Sequence, residues 1–157
     1  GSEPMRNLFS CARPLLCDDD ELIPLAEAIT DYPREGKEGK LKQYYCTLKQ
    51  FYRYFRKCCQ LEGYARAHVA AGIVYSLYRL LLVENEILFP SFRKVELAVM
   101  NAPNKPEGIV EKCRKFLETL NDEDCLALYD AYESWTSYDF PKDGATISNN
   151  FLAPYDW

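Results

Sequence analysis

The sequence predicts an all-α protein: a helical bundle of five to six helices with an irregular aromatic C-terminal tail. Three observations carry that prediction. Glycine totals only 7 of 157 residues, so the stretches between prolines are long and carry few breakers. Within those stretches apolar residues recur every three or four positions instead of alternating. The apolar share of 48% and charged share of 27% match globular chains, which excludes a wholly disordered or collagenous protein. A length near that of one domain divides into a linker or extension over 1–19, the bundle over 20–140 and the tail over 141–157.

The first helix is expected from Asp20, where the acids Asp18 to Glu21 complement the positive end of a helix dipole. Leu22, Ile23, Leu25, Ala26 and Ile29 follow at helical spacing, Pro24 is tolerated in a first turn, and Pro33 stops the helix. The second runs from about Gly39 to Glu62, with Leu41, Tyr45, Leu48, Tyr52, Phe55 and Cys59 as its apolar stripe. Gly63 separates it from the third, about Tyr64 to Leu88. That helix opens on small residues (Ala65, Ala67, Ala70, Ala71, Gly72) and closes on large ones, so it reads as the central helix with neighbours on several sides. Phe89-Pro90 is expected to end it.

A short helix over Arg93 to Met100 precedes a turn at 101–106. The next helix buries Ile109, Val110, Cys113, Phe116, Leu117 and Leu120. Asn121, with Asp124 three residues on, caps a sixth helix that buries Cys125, Leu128, Tyr129 and Tyr132 and ends near Tyr138. Beyond Phe140, Pro141, Gly144, Asn149, Asn150 and Pro154 interrupt any period. Phe151, Leu152, Tyr155 and Trp157 nevertheless predict that the tail packs on the body.

The net charge of −5 conceals an uneven distribution. Seven basic residues and one acid lie between Lys37 and Lys57, and Lys49, Arg53, Arg56 and Lys57 share one helix face. Eight acids stand against Lys142 alone between Glu118 and Asp143. Either these are solvated faces that complement each other across the bundle, or the basic face meets an anion or an acidic partner. The net acidity speaks against a stand-alone nucleic-acid binder.

No catalytic constellation is legible. There is no glycine-rich phosphate loop and no GxSxG elbow. One histidine, His68, excludes a His-rich metal site, and seven cysteines without a CxxC pair form neither a zinc module nor a disulfide framework. They read as reduced, mostly buried thiols of a cytoplasmic protein. The longest apolar run, Val69 to Tyr75, is shorter than the ~20 residues of a membrane span, and no leader-like segment opens the sequence.

One stretch has a family resemblance. Tyr75 to Lys94 reads as an apolar helix, then Asn85, then Phe89-Pro90, then Lys94, followed by the proline-rich turn Ala102 to Glu107. It resembles the C-terminal α-helical domain of nucleotidyltransferase-superfamily proteins, although Glu84 stands where that pattern has leucine. Ala12 to Pro33 is similar to the connection that enters that domain. In such proteins an α/β domain with a Gly-Ser motif and paired aspartates binds Mg²⁺ and NTP. Those motifs are missing here, so the resemblance implies a substrate-binding accessory domain with no cofactor and no catalytic residue of its own. Its partner would be a nucleotidyltransferase catalytic domain in cis. By motif position Asn85, Pro90 and Lys94 correspond to the family pattern. Tyr78 and Arg79, one to two turns earlier, would face the cleft, which gives Tyr78, Arg79, Asn85 and Lys94 as the acceptor-binding set. The alternative is a free-standing protein-interaction module that uses the basic helix face.

Overall fold

The computed structural model describes residues 3–12, 22–57 and 62–151. Among these it is all-α, with eight helices: α1 (Glu3–Ser10), α2 (Leu22–Thr30), α3 (Lys37–Lys57), α4 (Gly63–Glu84), α5 (Val95–Asn101), α6 (Ile109–Thr119), α7 (Asp122–Trp135) and α8 (Gly144–Phe151). The acidic run at Asp18 to Glu21 and the vicinal Cys58-Cys59 lie outside the described residues, as does the tail from Leu152 onward.

The long pair α3 and α4 forms the centre. α7 and α8 lie against α3, α5 and α6 lie against α4, α6 also packs on α7, and α1 pairs with α2. From Ile73 to Val83 every α4 residue except Tyr75 is buried, as a helix with neighbours on several sides requires. Each fully buried leucine there, such as Leu77 or Leu81, contributes about 1.5–3 kcal/mol of transfer free energy. By length and composition α4 could cross a bilayer, and two thirds of that apolar window is buried against the rest of the chain. In its small-residue half, Ala65, Ala67 and Ala71 are exposed and only Ala70 is buried. Gly72 makes the close approach, because a Cβ there would stand 2.6 Å from the Phe51 ring of α3.

Several boundaries differ from those the sequence predicts. α4 ends at Glu84, well before Phe89-Pro90. Asn85 caps it, Glu86 takes a left-handed φ of 55°, and the N–H groups of Ile87 and Glu86 donate to the carbonyls of Leu82 and Val83. This is a Schellman termination with glutamate in the place usual for glycine. Arg34 and Lys37 hold the Glu86 carboxylate at 2.8 and 3.0 Å. Leu117 is 41% exposed, since it follows Phe116 by 100° around α6 and leaves the buried stripe. α7 ends at Trp135, earlier than Tyr138. Its N-cap is as expected: the Asn121 side chain accepts from the Asp124 N–H at 2.7 Å. The Asp124 carboxylate does not reach back; it takes Thr119 and Lys115.

Two helices arise where the sequence reads as irregular. α8 begins because Asp143 caps it, accepting from the Thr146 N–H at 2.8 Å. It buries Ile147 and sets Phe151 edge-on to Phe51, so this part of the tail does pack on the bundle. α1 has Pro4 in its first turn, where a proline is tolerated, and buries no residue.

Candidate functional site

Arg79 is the one charged residue between His68 and Glu84, and a charge inside an apolar helix must find a counter-ion or stay out of the core. Its side chain is 8% exposed. Helical spacing brings Tyr75 beneath it, α3 supplies Tyr44, and the chain leaving α4 returns Phe89. The guanidinium carbon lies 4.3 Å from the Phe89 ring centroid, 4.7 Å from that of Tyr44 and 6.0 Å from that of Tyr75. An aromatic face stabilises a desolvated cation by about 2 kcal/mol, set against the several kcal/mol that burying the charge costs.

The remaining compensation comes from α1. Arg79 Nη2 donates to Glu3 Oε2 at 3.0 Å, and the Phe89 backbone N–H donates to the same oxygen at 3.2 Å. Lys40 Nζ donates to Glu3 Oε1 at 2.6 Å. Nη1 makes a long contact of 3.4 Å with the Tyr75 hydroxyl. Arg79 Nε and the Tyr32 hydroxyl are buried without a hydrogen-bond partner. Lys40 stands 5.6 Å from the Tyr32 ring centroid, which places that tyrosine at the same pocket. Burial is the main force raising the Tyr32 phenol, with the Glu3 charge adding to it. The Tyr44 phenol is pushed up to about 12, chiefly by burial, while Arg79 pulls it back. Outward, the aromatic wall continues to Phe92, which is 66% exposed and lies 5.5 Å from Tyr75 and 5.6 Å from Phe89.

Tyr78 and Asn85 of the expected acceptor set make their hydrogen bonds elsewhere. Tyr78, the preceding residue, points about 100° away around α4 and donates to Glu96 Oε2 at 3.3 Å. Glu96 is also held by Arg114, so Tyr78 ties α4 to α5 and α6. Asn85 spends its amide on backbone groups of Leu81 and Asn104. Lys94 is exposed at the N-cap of α5, and Pro90 is half-buried beside Phe89.

The basic face of α3 divides. Lys49 turns inward: it hydrogen-bonds the Tyr129 hydroxyl and stands 3.9 Å from the Glu133 carboxylate. Burial holds its ammonium below the ordinary lysine range, against the pull of Glu133. The Tyr45 and Tyr129 hydroxyls both donate to Glu133 Oε1, so Lys49 belongs to a polar seam between α3 and α7. Arg53 lies near the start of α8, with Nη1 4.0 Å from where a Gly144 Cβ would be. Arg56 is exposed and donates to the Tyr52 hydroxyl at 2.9 Å, and Lys57 is exposed beside it.

Glu3, Lys40, Tyr44, Tyr75 and Phe89 are site residues that the sequence did not single out in this role. The available signal was the lone arginine in an apolar run with a tyrosine four residues before it. Among the described residues no three His, Cys, Asp or Glu side chains converge as a metal site would need. Comparisons with protein families, with curated proteins and with solved structures gave no match.

Proposed function

We propose that this chain is the accessory, acceptor-binding helical domain of a nucleotidyltransferase-like protein, and that the Arg79 pocket is where the acceptor is held. One observation carries the reading. The bundle surrounds a buried guanidinium with aromatic faces but gives it no acid from α3 to α8; the acid comes from Glu3 of α1. A core arginine that served only stability would gain from a partner fixed within the bundle, because a buried charge left unpaired is strongly destabilising. The resemblance to the helical domain falls on the same stretch, since Tyr75, Arg79 and Phe89 all lie between Tyr75 and Lys94. In this arrangement the helical domain binds and orients the acceptor. Mg²⁺ and NTP belong to a catalytic domain acting in cis, whose metal ions would neutralise the transferring phosphate.

The test has two parts. The flanking reading frame is expected to encode a strand-borne D-x-D and a Gly-Ser segment. In the protein containing both parts, Arg79→Met is expected to raise KM for the acceptor at least about tenfold with KM for NTP unchanged, the signature of lost acceptor binding. A flanking sequence without those motifs, or equal effects on both substrates, rejects the reading.

A further inference from the structure

We propose that the Arg79 pocket is a carboxylate-binding site for a ligand from outside the bundle, and that Glu3 occupies it as an internal stand-in that the ligand displaces. The proposal rests on the pocket being a binding site and does not need the nucleotidyltransferase relationship.

Three donors from three segments meet on one carboxylate. The guanidinium comes from α4, the ammonium of Lys40 from α3 and the N–H of Phe89 from the chain after α4, and together they serve both Glu3 oxygens. Without Glu3 the pocket would hold two cations and an aimed backbone donor, which demands an anionic guest. A planar two-oxygen acid matches the flat guanidinium that lies between the Tyr44 and Phe89 rings, whose Nε still lacks an acceptor.

Glu3 fills this site imperfectly. Arg79 Nε and the Tyr32 hydroxyl keep no partner, and an unmet buried donor is a standing cost that a better-shaped acid would relieve. α1 is also held lightly. It buries no residue, and Met5, Leu8 and Phe9 are 50%, 63% and 48% exposed. Among the described residues its other polar hold on the rest of the chain is Arg6, whose Nη1 donates to the carbonyls of Ile29 and Asp31 at 3.2 and 3.4 Å. Next to the pocket the exposed Phe92 offers an apolar surface for the rest of a ligand. An internal competitor lowers apparent affinity by the fraction of time it occupies the site, so the carboxylate of Glu3 sets the threshold that an external acid must exceed.

The experiment compares the full chain with Glu3→Ala and Glu3→Gln, titrated with glutarate and, at equal ionic strength, with inorganic phosphate. Binding is read from the Phe89 amide and Arg79 Nε–H signals in NMR spectra and from Tm. Glutarate is expected to shift both signals and to bind Glu3→Ala at least about tenfold more tightly than wild type. Adding Arg79→Met should abolish that binding. Glu3→Gln, which keeps an acceptor oxygen, is expected to fall between the two. Equal affinity in wild type and Glu3→Ala overturns the proposal, as does the absence of saturable binding to Glu3→Ala. Phosphate matching glutarate overturns the carboxylate assignment. If Glu3→Ala is unstable, a glutarate-dependent rise in its Tm, larger than in wild type, supports the proposal, and no rise sinks it. Failure here would leave the accessory-domain reading intact, because that is decided by the flanking sequence and the acceptor KM.

Discussion

Asn85 and Asn104 hold each other through a reciprocal pair of hydrogen bonds. Asn85 Nδ2 donates to the Asn104 carbonyl at 2.7 Å, and the Asn104 N–H donates back to Asn85 Oδ1 at 3.0 Å. The same Nδ2 also donates to the Leu81 carbonyl at 2.7 Å. One side chain thus closes the last turn of α4 and fastens the turn between α5 and α6 to it. Asn85→Ala is expected to cost about 1–3 kcal/mol, since three bonds go and the freed groups are partly rehydrated. In urea unfolding the midpoint should fall with the slope unchanged. Unaltered stability together with lost acceptor binding would assign Asn85 to the ligand instead.

Glu84 predicts a pH dependence. Its carboxyl is raised above the ordinary glutamate range, first by burial, with the hydrogen bonds from Tyr132 and Thr136 pulling it down. The folded chain therefore holds this proton more tightly than the unfolded chain does. The stabilisation is present below the unfolded pKa and is lost as pH rises through the folded one. Glu84→Gln removes the titration, so its Tm relative to wild type should improve between about pH 4 and about pH 7. A constant difference across that window would refute the assignment.

The thiols should differ sharply in reactivity. Burial pushes Cys113 and Cys125 up to about 12 and raises Cys46 as well, whereas Cys11 is exposed. The thiolate is the reacting form. Iodoacetamide at about pH 8, followed by peptide mapping, is expected to label Cys11 and spare Cys46, Cys113 and Cys125 until guanidinium unfolds the chain. Rapid labelling of Cys113 in the native protein would contradict its placement.

Periodicity revealed the long elements because a buried helix face must repeat every three or four residues. Leu41, Tyr45, Leu48 and Phe55 are buried as the stripe on α3 implies, and so are Cys125, Leu128, Tyr129 and Tyr132 on α7. Tyr52 is only half-buried, stacked on Tyr129. Helix ends were less legible. The stop at Asn85 depends on hydrogen bonds to Asn104, nineteen residues away, and α8 starts from an aspartate cap that the surrounding Pro, Gly and Asn residues obscured. At the candidate site only Arg79 could be named. Glu3 lies 76 residues from it in sequence, and no local pattern records a pairing over that distance. Tyr78, which the motif places with Arg79, hydrogen-bonds Glu96 of α5, as neighbouring helix positions point about 100° apart.

Gly72 sits opposite the Phe51 ring, and any larger residue there would collide with it. Moving α3 along α4 by one turn, about 5.4 Å, would bring a residue with a Cβ into that notch. The glycine and the ring therefore lock the two longest helices against sliding. Lys40 and Tyr44 belong to one of them, Tyr75 and Arg79 to the other, so the alignment of the anion pocket is inherited from a detent elsewhere on the same two helices that supplies none of its donors.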